Sequence, residues 1–379
     1  MPVIHCLNKI SKVGLGALPS SYTYSEELKE GVEAILVRSA AMHEMELPAS
    51  IKAVARAGAG VNNIPLDKFA SQGVVVFNTP GANANAVKEL VIAMMLLAAR
   101  DIRGSMEWVL ANKGDPEINK TMEKAKGQFA GTEILGKTLG VIGLGAIGAL
   151  AADSASKLGM KVIGVEPSEA TLKRNAELLK NTKVVDYDTL FANSDYISIH
   201  VPLMDATRGL LNKEAFAKMK DGVIVINAAR DALVNDDDLL EAINSGKVRK
   251  YVTDFPNAKT ANMNNVVAIS HLGASTEEAE DNCAFMAASQ VKEYLENGNI
   301  VNSVNYPNLS LGARKGIRVV ALYNAKEGLA GELMNKLTPY GIKASVSGVK
   351  GNFGASLFDL EKEPSELCAE GLIKVVILK

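Results

Sequence analysis

With 379 residues, 47% of them hydrophobic and 22% charged, the chain has the balance of a globular protein large enough for two or three cores. A net charge of −2 offers no basic field for a nucleic-acid backbone, so any anion must be held by a few placed arginines. Cys6, Cys283 and Cys368 form no CxxC pair, and His5, His43, His200 and His271 lack ligand spacing; neither a disulfide framework nor a metal is expected, and a cytoplasmic setting is.

The first residues, Met1 to Lys12, carry no apolar core followed by a cleavage site, so no signal peptide is expected. Buried strands are predicted at Ala34–Val37, Ile51–Ala55 and Val74–Phe77. Each ends in a polar or glycine-rich loop: Arg38-Ser39, Arg56 to Gly60, and Asn78 to Gly81. Ligands of open α/β sheets bind beyond the carboxyl ends of strands, so these three loops are expected to converge. The longest apolar run, Leu90–Ala99, is about half of the ~20 residues a membrane span needs and predicts a buried helix, with no membrane partner. Charged residues with Gly114 and Pro116 mark 112–131 as an exposed insertion.

From Lys137 a second α/β series begins. Strands are predicted at Thr138–Ile142, Lys161–Val165, Tyr196–Val201, Gly222–Asn227, Lys250–Thr253 and Val266–Ser270, with a helix over Ile147–Leu158. Asn235 is placed to cap a helix with Asp236–Asp238 in its first turn, ending at Gly246. A long helix covers Glu277–Leu295, a linker covers 302–313, and the remaining elements follow a βαββαβ order. The expected architecture is α/β: two doubly wound parallel-sheet domains, a flavodoxin-like one (1–95 with 275–301) and a Rossmann one (96–274), plus a small α+β domain (314–379).

Gly143-Leu144-Gly145-Ala146-Ile147-Gly148 is a GxGxxG run, a weak signal alone but here lying between a strand and a helix, with Glu166 ending the next strand. Gly143 permits the tight turn, Gly145 admits a pyrophosphate to the backbone, Gly148 allows close helix–strand packing, and the helix N-terminus favours the phosphates. Glu166 can accept from ribose hydroxyls and repels a 2′-phosphate, which predicts NAD rather than NADP.

Three more strand ends carry Asn227-Ala228-Ala229-Arg230, Thr253-Asp254 and His271-Leu272-Gly273-Ala274. Taken singly, a histidine after a strand is more often structural and an arginine more often a surface charge. Their shared position beyond a dinucleotide motif reverses that balance. A base for a hydroxyl proton and a cation for a carboxylate suit oxidation of a 2-hydroxy acid, with His271 and Arg230 in those roles.

The runs Lys137–Gly148, Ser198–Gly209, Asn227–Val234 and His271–Thr276 resemble the D-2-hydroxyacid dehydrogenase family. Arg56–Asn63, Asn78–Asn85 and His271–Thr276 are similar to its phosphoglycerate dehydrogenase branch, and the C-terminal segment resembles an ACT domain. The resemblance implies Arg230 and His271 as catalytic residues, and Arg38, Arg56 and Asn83 as substrate-binding ones. It implies Gly143, Gly145, Ile147, Gly148, Glu166, Pro202, Thr207, Ala228, Asp254 and Gly273 at the cofactor. It also implies a small phosphorylated hydroxy acid as substrate, and a homodimer or homotetramer. Another D-2-hydroxy acid such as glycerate, or a nucleotide-sensing role without catalysis, remain alternatives.

Two departures from the pattern stand out. The family's glutamate partner of the catalytic histidine is missing from Asp254-Phe255-Pro256-Asn257-Ala258-Lys259-Thr260, which predicts a looser, less basic histidine or a carboxylate supplied from elsewhere. The family's His-x-Asn-x-Pro effector turn is replaced by Tyr323-Asn324-Ala325-Lys326-Glu327-Gly328. That change predicts a C-terminal domain devoted to assembly or stability rather than serine feedback.

Overall fold

A computed structural model describes every residue, Met1–Lys379, and the chain divides into two compact units. One comprises Met1–Asn83 with Glu277–Lys379; the other is Ala84–Thr276.

The first unit is built on a parallel sheet of β1 (Val3–Cys6), β2 (Thr23–Ser25), β3 (Ala34–Val37), β4 (Ala53–Arg56) and β5 (Val75–Phe77), in the order β2-β1-β3-β4-β5. Continuous apolar runs make β3, β4 and β5 buried strands, as parallel strands covered on both faces require. β3 and β4 end level, Val37 opposite Arg56, so Arg38 and Arg56 leave the sheet side by side. The helix Glu277–Asn297 buries Ala284, Ala287, Ala288 and Val291 in the same core. Its small residues permit close approach: a Cβ on Gly14 would lie 2.6 Å from the Ala284 main chain.

The segment expected as a linker is instead anchored to the open edge of β5. Val304 N–H donates to the Val76 carbonyl (2.9 Å), while Asn305 Oδ1 accepts from Val76 N–H (2.8 Å) and its Nδ2 donates to the Val74 carbonyl (2.9 Å). Asn305 thus stands in for a strand neighbour, satisfying main-chain groups that the edge would leave unpaired. Tyr306, fully buried, donates its hydroxyl to the Ala70 carbonyl.

An antiparallel sheet closes this unit, formed by β13 (Ile317–Asn324), β14 (Ile342–Lys350), β15 (Phe353–Leu360) and β16 (Leu372–Leu378) in the order β14-β15-β13-β16. Alternation sorts its faces: Val319, Ala321 and Tyr323 pack on the helix Leu329–Leu337, and Val320 and Leu322 join the core containing Phe77 and Tyr294. The second helix expected in this region does not form. Residues 361–371 cross between strands without helix; Pro364 interrupts the run, and Leu367 with Ala369 packs on the core from it.

The second unit holds β6 (Thr138–Ile142), β7 (Lys161–Val165), β8 (Thr182–Val184), β9 (Tyr196–Ile199), β10 (Val223–Asn227), β11 (Val248–Thr253) and β12 (Val266–Ala268), all parallel, in the order β12-β11-β10-β9-β6-β7-β8. The order reverses at β6 and β9, which opens a crevice at their carboxyl ends. The helix Ala84–Ala99 belongs here, so the division falls at Asn83/Ala84 rather than near residue 95. Its Val87, Val91, Met94 and Met95 pack with Ala149 and Ala152 of the helix Ala146–Lys157. Within the charged stretch, the helix Ile118–Ala125 buries no residue. No helix is long and apolar enough to cross a membrane.

Candidate active site

The glycine-rich turn follows β6. Gly143 has φ +89°, and a Cβ there would lie 2.8 Å from the His200 carbonyl oxygen. A Cβ on Gly148 would collide with the Gly143 carbonyl, while one on Gly145 would meet nothing within 4 Å. The three glycines therefore differ in purpose: two for packing, one leaving open space. Gly145 also precedes the helix Ala146–Lys157 without any side-chain cap, so the first amides of that helix keep their donor capacity. Ile147 packs into the core beneath this turn.

Glu166 folds back on the same loop. One carboxylate oxygen accepts from Leu144 N–H (3.1 Å) and the other from Ser168 N–H (3.0 Å). Thr207 Oγ1 donates to the Pro202 carbonyl (2.7 Å) and accepts from Met204 N–H (2.9 Å), closing the turn after β9. Burial pushes the His200 imidazole down to about 4, and its ring bonds to Ser198 Oγ at 2.9 Å, which assigns that histidine a structural part.

At the end of β10, Asn227 is wholly buried and directs the next three residues. Its Oδ1 accepts from Ala229 N–H (3.0 Å) and Arg230 N–H (3.3 Å); its Nδ2 donates to the Arg230 carbonyl (2.7 Å) and to Tyr251 Oη (3.0 Å). Ala228 is thereby carried over the strand end. Asn227 was not singled out from the sequence, although an asparagine ending a strand and bonding two and three residues ahead is a known turn-former.

Asp254, 1% exposed, directly follows β11. Its Oδ2 accepts from Gly273 N–H (3.0 Å), while Oδ1 is buried with no hydrogen-bond partner. Burial raises its pKa; the Gly273 amide and the His271 imidazole pull the other way. The next residue, Phe255, touches both candidate catalytic groups. Its ring centroid lies 4.3 Å from that of His271 and 5.0 Å from Arg230 Cζ. The family's glutamate is absent from this segment, and the His271 ring packs instead against the Phe255 face.

In the first unit the strand-end loops do converge. Arg56 Nε donates to the Arg38 carbonyl (3.0 Å), and Thr79 N–H donates to the Gly58 carbonyl (3.1 Å). The Arg38 guanidinium pairs with Glu280 at 2.7 Å, a partner the sequence did not suggest because it arrives from the distant helix Glu277–Asn297. Gly58 has φ +151°, and the Arg56 guanidinium occupies the space its Cβ would take. Asn83 Oδ1 is buried and makes no hydrogen bond.

Residues 92–273 match the family model described as the D-isomer specific 2-hydroxyacid dehydrogenase NAD-binding domain. A hydroxypyruvate reductase of Thermotoga maritima is 40% identical over 66% of this chain and 80% of its own length. The chain belongs to the D-2-hydroxyacid dehydrogenase family. A D-3-phosphoglycerate dehydrogenase of Archaeoglobus fulgidus is 38% identical over 73% of this chain, but the match spans about half, 52%, of that relative. The NAD+-bound 3-phosphoglycerate dehydrogenase structure from Entamoeba histolytica superposes with a TM-score of 0.62 at 25% identity, covering 81% of this chain and 99% of that one. The family's cofactor, NAD, fits the second unit on the chain's own features: open space at Gly145, uncapped helix amides, and the orphaned Asp254 acceptor.

Proposed function

We propose that the protein oxidises 3-phospho-D-glycerate to 3-phosphooxypyruvate with NAD, the first step towards serine. The observation that carries this reading is the meeting of Arg230 and His271, from two different strand ends, on the single ring of Phe255. Arg230 binds the substrate carboxylate and polarises the C2 oxygen. His271 accepts the proton of the C2 hydroxyl as the carbonyl forms, and returns it in the reverse direction. Bound NAD supplies the acceptor for the hydride that leaves C2. Gly143, Gly145, Ile147, Gly148 and Glu166 serve the adenosine and pyrophosphate end, Pro202 and Thr207 line the cofactor, and Ala228, Asp254 and Gly273 serve the nicotinamide end, where Asp254 Oδ1 has an acceptor to offer an amide. Arg38, Arg56 and Asn83 hold the phosphate and carboxylate oxygens of the substrate.

One observation favours a second substrate, the unphosphorylated acid. The Glu280 carboxylate already neutralises Arg38, which reduces the charge offered to a phosphate. Comparing kcat/KM for D-3-phosphoglycerate and D-glycerate separates the two. On the phosphorylated reading, Arg38→Ala and Arg56→Ala each lower kcat/KM for phosphoglycerate by about tenfold or more and leave glycerate almost unaffected; equal losses on both acids would remove the two arginines from the phosphate, and a higher parent kcat/KM for glycerate would assign the enzyme to the unphosphorylated acid.

Gly58→Ala gives a related result. The added methyl must displace the Arg56 guanidinium, on a backbone that disfavours any side chain, so KM for phosphoglycerate rises by about tenfold or more with kcat little changed. Unchanged KM would remove Arg56 from the substrate. A cytoplasmic homodimer or homotetramer, with the C-terminal sheet acting in stability rather than effector binding, completes the proposal. Tyr323 in the altered effector turn is buried and bonds Ser356 Oγ at 3.0 Å, unlike a residue kept for a ligand.

A further inference from the structure

The catalytic pair proposed above depends on a residue with no chemistry of its own. Arg230 and His271 are 41 positions apart on separate loops, and each loop is tied to the segment Thr253–Pro256. Asp254 N–H donates to the Asn227 carbonyl (3.4 Å), and Asn227 governs the Arg230 turn. The Asp254 carboxylate takes the Gly273 amide, which fixes the loop bearing His271. Between these ties projects Phe255. Its main chain is held at both ends: its N–H donates to Thr253 Oγ1 (3.0 Å), and Pro256 restricts it to extended conformations. A ring on so constrained a backbone is a fixed platform.

The two groups on that platform both gain from it. The guanidinium is attracted to the aromatic quadrupole, and its Nη1 also donates to the Ala229 carbonyl (2.5 Å), so ring and main chain together fix its plane. The imidazole, tilted 44° to the ring, is limited in rotation by it. His271 is exposed, and the Phe255 ring gives it an aromatic face 4.3 Å away to pack against.

Resting on the proposed dehydrogenase reading, we infer that Phe255 is a positioning residue, an aromatic clamp that sets Arg230 and His271 at a fixed separation and orientation. An aliphatic side chain of similar volume would fill the space but supply no π face; a tyrosine would supply both.

The test uses the full chain carrying isotope-labelled histidine. Only four histidines are present, and a His271→Asn chain identifies the relevant signal. The clamp predicts that Phe255→Leu displaces the His271 ring resonance, through lost ring current, and leaves the His200 signal in place as a control on folding. Phe255→Tyr restores the parent position. In steady-state assays Phe255→Leu lowers kcat by several-fold to about tenfold and raises KM for the acid less, while Phe255→Tyr retains both. A His271 signal and kcat identical in parent and Phe255→Leu would overturn the clamp, as would failure of tyrosine to restore either. The dehydrogenase reading falls separately, if the parent chain yields no NADH from any 2-hydroxy acid; the resonance comparison then still decides whether Phe255 orders the pair.

Discussion

Replacing His271 by asparagine lowers kcat by about 10²–10⁴-fold, the range lost when a positioned general base is removed, with NAD affinity close to that of the parent chain. The two effects separate because the groups proposed for the dinucleotide do not depend on the imidazole. Gly143, Gly145 and Gly148 are set by main-chain geometry, and Glu166 is held by two amides. Asp254 keeps its Gly273 contact, although loss of the imidazole removes one of the interactions that lower its pKa. Stopped-flow or steady-state NADH absorbance gives kcat, and calorimetry gives the NAD affinity. A kcat within threefold of the parent would assign the proton to another group.

Arg318→Ala removes about 3–5 kcal/mol from the stability of the first unit. Arg318 is the largest fully buried side chain and forms a bidentate pair with Asp359, its Nε and Nη2 at 2.6 and 2.9 Å from the two carboxylate oxygens. Nη1 donates to the carbonyls of Asn297 (2.6 Å) and Gly312 (2.8 Å). One guanidinium therefore joins the end of the long helix, the segment after it and the first strand of the antiparallel sheet. Truncation leaves the Asp359 carboxylate and the Asn297 carbonyl without their donor, while Gly312 keeps the Asn299 amide (2.9 Å), and the orphaned groups cost more than the lost contact alone. Urea unfolding of the full chain, followed by limited proteolysis within 297–317, measures the effect. A midpoint unchanged from the parent would show that the apolar contacts of Val320 and Leu322 suffice.

The parallel sheets were legible because their strands are continuous β-branched runs bounded by glycine and polar turns, and because a dinucleotide turn has a fixed context. The Asn235 cap appeared as read, accepting from Asp237 and Asp238 amides. β1 and β2 were missed: Val3–Cys6 contains His5 and Cys6, Thr23–Ser25 is mostly exposed, and neither shows the apolar run that marks a buried strand. The segment expected as a linker is held by scattered contacts, the Val304 amide, the Asn305 side chain acting as a surrogate strand and the buried Tyr306 hydroxyl, and no periodicity announces those. The second C-terminal helix failed on Pro364 and on brevity. At the candidate site, strand-end residues could be read from the order of elements, whereas Glu280 beside Arg38 and Phe255 between Arg230 and His271 are products of packing across loops.

The most direct test of the central claim is NADH formation by the full chain on D- and L-enantiomers of phosphoglycerate and glycerate. Turnover is expected on a D-acid, with no activity on its L-form, and is lost in both His271→Asn and Arg230→Ala. Calorimetric binding of NAD accompanied by no NADH from any of the four acids would contradict it, and would leave a nucleotide-binding protein built on a dehydrogenase fold.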